Sequence, residues 1–98
     1  ILGRYEHKTL DEIMFIAKQI FQIGEYVFIG VSTEEKKLFL SHNTDLLIHC
    51  GNLLKDVMKN FQAKGGGSAV QAQGSFQDKV ELKKCVDTLY RICQELGD

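Results

Sequence analysis

Apolar residues along the first third of the chain recur at alternating spacings of three and four: Leu10, Ile13, Ala17, Ile20, Gly24 and Val27. That spacing keeps them on one side of a 3.6-residue helix and predicts a helix over residues 9–29. A start signal precedes it in Thr9-Leu10-Asp11-Glu12, where the Thr hydroxyl can cap the amide of Glu12 and the Glu carboxylate can reach back. Gly30 is the expected stop. A second capping box, Ser32-Thr33-Glu34-Glu35, opens two rows of period seven: Phe39, Leu46 and Leu53, then Leu40, Leu47, Leu54 and Phe61. With Cys50 and Val57 between the rows, they predict a helix over 33–63, about 45 Å long at 1.5 Å per residue, with a bend or a restart near Gly51. A third helix is expected from about Ser75, with Asp78 in its capping box, to Gly97, and it carries Leu82, Val86, Leu89, Cys93 and Leu96 at spacings of four, three, four and three.

Three such stripes predict an all-α fold, an antiparallel three-helix bundle, completed to four or more helices by a partner or a second copy. Its expected core is Ile13, Ala17, Ile20, Leu46, Leu53, Val57, Val86, Leu89 and Cys93. A rival reading is mixed α/β, because Tyr26–Val31 and Leu38–Ser41 are rich in strand formers and flank a polar turn, which would make a hairpin over 26–41. Against the hairpin, the turn is long, lacks Gly, Asn or Asp at its centre, and doubles as a capping box. Between the second and third helices Gly65-Gly66-Gly67-Ser68 and the small, polar run to Gly74 read as a flexible linker over 65–74. GGGS is a stock unit of engineered fusions, so an engineered join is expected there. The domain organisation is then one domain: a helical hairpin over 1–64, the linker, and an amphipathic helix over 75–98.

Composition narrows the class. A length of 98 residues leaves room for one core only, and 44% hydrophobic with 26% charged residues is enough to pack it. The formal net charge of -1 gives no phosphate-neutralising excess and argues against a nucleic-acid partner. The odd set Cys50, Cys85 and Cys93 points to a reducing, cytoplasmic setting. The chain opens on Ile1 with no leader-like segment, which reads as a piece excised from a longer protein. Residues 13–31 hold 13 apolar residues in 19, yet Lys18 and Glu25 would each cost about 2.5 to 3.5 kcal/mol near a bilayer centre, so no membrane span is expected.

Candidate chemistry is sparse. His42 and His49 stand seven residues apart, about 10.5 Å of helical rise, too far to share a metal. Asp45 with His49 lacks a further ligand on the same face, since Cys50 points elsewhere. Cys50 beside His49 is no nucleophile and base pair, because adjacent helical side chains diverge. The glycine cluster has no following Lys-Ser or Lys-Thr to make a phosphate cradle. Asp11-Glu12 and Glu34-Glu35 are explained by helix starts, and Lys36-Lys37 and Lys83-Lys84 by solvated faces. The expectation is no enzyme, no cofactor, no metal and no small-molecule substrate.

The anomaly is the girth of the first helix. Asp11, Lys18, Gln22 and Glu25 form its only polar stripe, while Met14, Phe21 and Phe28 make a second apolar row and Phe15 and Ile29 fall at the stripe's edge. Met14, Phe15, Phe21, Phe28 and Ile29 are therefore the expected partner-binding residues, the partner being a protein, either an amphipathic helix or a second copy. Phe39-Leu40-Ser41-His42-Asn43, followed by Leu46-Leu47 and Leu53-Leu54, resembles a helix of the focal-adhesion-targeting-like domain of Cas-type adhesion scaffolds, with different charges and flanks. That resemblance implies a helix-binding bundle. The function expected is a non-catalytic helical protein-protein interaction module of scaffold or adaptor type; the alternatives are an engineered fusion of a receptor hairpin with its ligand helix, and a regulatory or docking segment of a larger enzyme.

Overall fold

The structure, a computed structural model, describes residues 1–44, 48–61 and 63–97. In chain order the elements are β1 (Leu2–Tyr5), α1 (Leu10–Phe21), β2 (Val27–Ser32), β3 (Lys37–His42), α2 (Cys50–Met58), β4 (Ala63–Gly67), β5 (Gln71–Phe76) and α3 (Lys79–Gly97). The strands form one five-stranded sheet in the order β1-β2-β3-β5-β4, parallel between β1 and β2 and antiparallel elsewhere. The fold is α/β, and the all-α three-helix bundle expected from the apolar stripes is wrong.

The reason lies in what the sheet buries. Both faces of β2 and β3 are covered, so their residues form near-continuous apolar runs without period-two alternation, and such runs read equally well as helix. Val27–Ser32 and Lys37–His42 pair in register from Val27 opposite His42 to Ser32 opposite Lys37, which is the hairpin of the rival reading. The polar turn keeps the local bond that suggested a helix start, with the amide of Glu35 donating to Ser32 Oγ at 3.3 Å. The chain then reverses at Lys36, whose φ of 56° is left-handed, and no helix follows. Phe39-Leu40-Ser41-His42, the start of the segment likened to an adhesion-scaffold helix, is strand, and Leu46 and Leu47 lie outside the described residues.

Nor are residues 65–74 a coil in the structure. Gln71–Phe76 alternates strictly, with Ala72, Gly74 and Phe76 buried and Gln71, Gln73 and Ser75 exposed, and Gly65–Gly67 pair with Gly74–Ala72 as the neighbouring edge strand. The second helix is only Cys50–Met58, capped at His49, whose Nδ1 accepts from the amide of Asn52 at 3.1 Å. The third begins four residues later than expected because Asp78 is itself the cap, accepting from the amide of Glu81 at 2.8 Å. Only α1 starts as read: both bonds of the Thr9–Glu12 capping box are present, and the helix stops at Phe21.

Helices α2 and α3 cover one face of the sheet. Leu54 and Val57 of α2 and Leu82, Cys85, Val86, Leu89 and Cys93 of α3 pack there on Ile29, Val31, Leu38, Leu40, Ala72 and Phe76. Helix α1 lies on the other face, where Ile13 and Ala17 meet Phe28 and Phe39. Gly30 permits this close approach, since a Cβ at that position would run into Ile13 Cγ2 and the Phe28 ring. Among the described residues no helix is long and apolar enough to cross a membrane.

Candidate functional site

Helix α1 packs on β2 and β3 and leaves β5 and β4 uncovered on its side of the sheet. The strand pleat sends alternate side chains to that open area: Lys37 and Phe39 from β3, Gln71, Gln73 and Ser75 from β5, Lys64 and Gly66 from β4. Between them and α1 runs a trough made of three cavities that share lining residues. One of about 410 Å³ lies between Leu10, Lys37, Lys64, Gly66, Gln73 and Ser75. The next, about 160 Å³, is bounded by Met14, Phe39, Gly67, Ser68 and Gln71. The last, about 220 Å³, sits against Met14, Ala17, Lys18, Phe21, Phe39 and Val70 at the β4–β5 turn.

The chemistry along the trough is graded. At one end two ammonium groups and a row of amide and hydroxyl side chains face solvent; at the other two aromatic rings, a thioether and aliphatic groups line a pocket. Among the described residues, the side chains of Lys18, Lys37, Lys64, Gln71 and Gln73 have no hydrogen-bond or ion-pair partner in the chain, whereas Lys8 and Lys59 pair with Glu12 and Asp56. The same holds for Lys55, Lys79, Lys83, Lys84 and Arg91 on α2 and α3, so what distinguishes the trough is that its free groups face one another. The glycines of β4 also differ from one another. A Cβ on Gly65 would strike Gln73 O and one on Gly67 would strike Gln71 O, so the strand pair itself requires them, but a Cβ on Gly66 would meet nothing within 4 Å. Gly66 leaves bare backbone at the rim of the trough without an internal reason.

The residues expected on a partner-binding face scatter. Met14 and Phe21 line the trough. Phe15 projects from α1 and is 61% exposed. Phe28 and Ile29, assigned above to the first helix, belong to β2 and are buried on opposite faces of the sheet. The helix they were to extend ends at Phe21, eight residues before the expected end, because the backbone of β2 is held by strand pairing on both sides. Lys64, Gln71 and Gln73 escaped the sequence reading, and Lys37 was assigned with Lys36 to a solvated face; the alternation Gln71, Gln73, Ser75 against Ala72, Gly74, Phe76 was the available signal.

The remaining candidates have structural tasks. His42 is buried, its Nε2–H donating to the carbonyl of Ile48 at 2.9 Å with the carbonyl of Ala69 at 3.3 Å, while Nδ1 accepts from the amide of Thr44 at 3.3 Å. His49 is the cap of α2, and Asp45 lies outside the described residues. No group of three His, Cys, Asp or Glu side chains among the described residues is arranged to hold a metal ion. Cys50, Cys85 and Cys93 are buried and unbridged. Burial pushes the thiols of Cys50 and Cys85 up to about 12, and that of Cys93 in the same direction.

The arrangement defines a small α/β domain with a trough on one side of its sheet, and solved structures contain the same fold. The C-Ala domain of alanyl-tRNA synthetase from Aquifex aeolicus superposes with a TM-score of 0.69 at 21% identity, over 93% of this chain and 86% of that one. Sequence comparison leads in the same direction. The chain is 33% identical over 84 residues to the alanine–tRNA ligase of Aster yellows witches'-broom phytoplasma (strain AYWB) and 31% identical over 84 residues to that of Onion yellows phytoplasma (strain OY-M). In each case 84% of this chain is matched, and it spans 10% of the length of the relative. No family profile matches the chain.

These likenesses, with the fold, overturn two expectations. A helical scaffold that packs partner helices does not describe an α/β domain whose relatives are ligases. The exclusion of nucleic acid also falls, because the relatives act on tRNA and because net charge does not reveal where the lysines stand.

Proposed function

We propose that the chain is an RNA-binding domain that carries no chemistry of its own, an appendage of a protein of the alanine–tRNA ligase type, and that the open face of the sheet is where it meets tRNA. The observation that carries this reading is that Lys37, Lys64 and Gln73 in one cavity and Gln71 in the adjoining one, all unpartnered, border the bare backbone of Gly66. Phosphate and sugar oxygens are acceptors; they are contacted by Lys, by Gln and Ser side chains, and by exposed backbone amides. A ligand strand passing that close to a β-strand needs a position without a side chain, and Gly66 supplies one.

The charge balance sets the strength. With a net charge of -1 the domain attracts RNA only locally, so affinity in isolation is modest. Attached to a larger ligase it would act at the effective concentration set by its linker, where a weak contact suffices to hold and orient a substrate bound elsewhere.

The test is fluorescence anisotropy with labelled tRNA across a range of salt. Each lysine that neutralises a phosphate contributes roughly 0.7 to 0.9 to the slope of log affinity against log salt. Replacing Lys37 and Lys64 together by Ala therefore lowers the slope by roughly 1.4 to 1.8 and weakens binding at low salt. The same slope and affinity in the double variant, or no binding by the unaltered chain, would refute the proposal.

A further inference from the structure

The trough changes character along its length, and the change specifies its ligand beyond RNA in general. We infer that the pocket at its β4–β5 end receives a single unstacked nucleobase, so that the domain selects RNA with unpaired residues over uniform duplex. This rests on the RNA-binding reading above and adds to it a second, separable subsite.

The pocket of about 220 Å³ is below the roughly 300–1,000 Å³ that encloses a drug-sized ligand, and suits one flat ring system. Its floor is the buried ring of Phe39 and its wall is Phe21 with the Met14 thioether, surfaces on which a base can stack or rest edge-on. Val70 closes the outer side from the turn and is 56% exposed, an apolar side chain that a seated base would cover. Ser41 does not compete for a ligand, since its hydroxyl donates to the carbonyl of Val70 at 3.0 Å. Gln71 does, with a free amide at the rim that offers a donor and an acceptor to a base edge.

Charge decides between a nucleobase and an apolar peptide side chain. Lys18 stands at the pocket's rim, and the trough continues past Gln73 to Lys37 and Lys64. A base seated in the pocket brings flanking phosphates to both places; a peptide side chain would leave those cations and the Gln71 amide unmatched. A base within a duplex is stacked and paired and cannot enter, so the occupant comes from a loop, a bulge or a single strand.

The experiment titrates the 98-residue chain into an RNA hairpin carrying 2-aminopurine in its unpaired loop, and into a fully paired duplex with the same stem. The expected result is tighter binding of the hairpin, with quenching of the 2-aminopurine as it stacks. Phe21→Leu keeps the apolar bulk but removes the ring, and it should reduce the hairpin-over-duplex preference roughly 5- to 150-fold, the range for losing one aromatic stack. Should Phe21→Leu fail to fold by circular dichroism, Val70→Asp tests the same pocket from an exposed turn position and should reduce the preference by placing an anion at the rim. Equal binding of the two RNAs with unchanged fluorescence would overturn the base pocket and leave the RNA-binding reading standing. Failure to bind either RNA would overturn both.

Discussion

Single residues hold the loops that shape the trough. His42 ends β3 on the face away from α1 and ties the carbonyls of Ile48 and Ala69, one before α2 and one in the β4–β5 turn, through the same ring nitrogen. Neither bond is legible in a linear text, because the partners come from segments 6 and 27 residues away. The cysteines are more legible: each falls beside an apolar stripe, and each is buried as a small hydrophobe. Their consequence is a pH dependence of stability. In the unfolded chain the thiols ionise near the ordinary value of 9.0, whereas in the fold Cys50 and Cys85 do so at about 12. The stabilisation from keeping them neutral and buried is complete below pH 9.0 and is lost as pH rises toward about 12. Chemical denaturation at stepped pH should show this fall, and a Cys50→Ala, Cys85→Ala pair should flatten it while lowering stability near neutral pH through the lost packing.

At the scale of elements, legibility follows burial. Helices α1 and α3 each bury one side and show the spacing that betrays them: Ile13 and Ala17 in one, Leu82, Val86, Leu89 and Cys93 in the other. Strands β2 and β3, buried on both faces, lose the alternation that marks a strand, so Val27 and Phe39 could be read into helical rows. The turn between them added to the error, because Ser32 and Glu35 make the bond of a capping box and the left-handed position is filled by Lys36 rather than Gly, Asn or Asp. Lys at φ 56° is held there by the hairpin at a cost. Lys36→Gly should therefore raise stability by about 0.5 to 1 kcal/mol, the strain relieved less the added freedom of the unfolded chain, as read by urea denaturation. An unchanged or lowered stability would mean that the turn carries no such strain.

At the scale of the whole molecule, what matters is asymmetry. Two helices cover one face of the sheet and a single helix covers part of the other, and the uncovered strip brings Lys37, Lys64, Gln71 and Gln73 together beside Gly66. A net charge close to zero hid this strip, since Lys37 and Lys64 are distant in sequence and meet only through the pairing of β3, β5 and β4. The apolar wall was half legible: Met14 and Phe21 stood out as excess on the first helix, but Phe28 and Ile29 were counted with them until the hairpin moved both into the core. The glycine run shows the same lesson from the other side. As composition it is a linker; as a strand it contains two glycines that the neighbouring backbone demands and one, Gly66, around which a side chain would meet nothing within 4 Å.

The most direct test of the central claim, that this open strip is the RNA-binding surface, is a titration of the isotope-labelled chain with tRNA followed by backbone amide chemical shifts. The account predicts that perturbations concentrate at Lys37, Lys64, Gly66, Gln71 and Gln73 and along the trough-facing side of α1, while the outward surface of α3 around Lys83 and Arg91 stays still. Perturbations centred on α3, or confined to residues remote from β4 and β5, would contradict it.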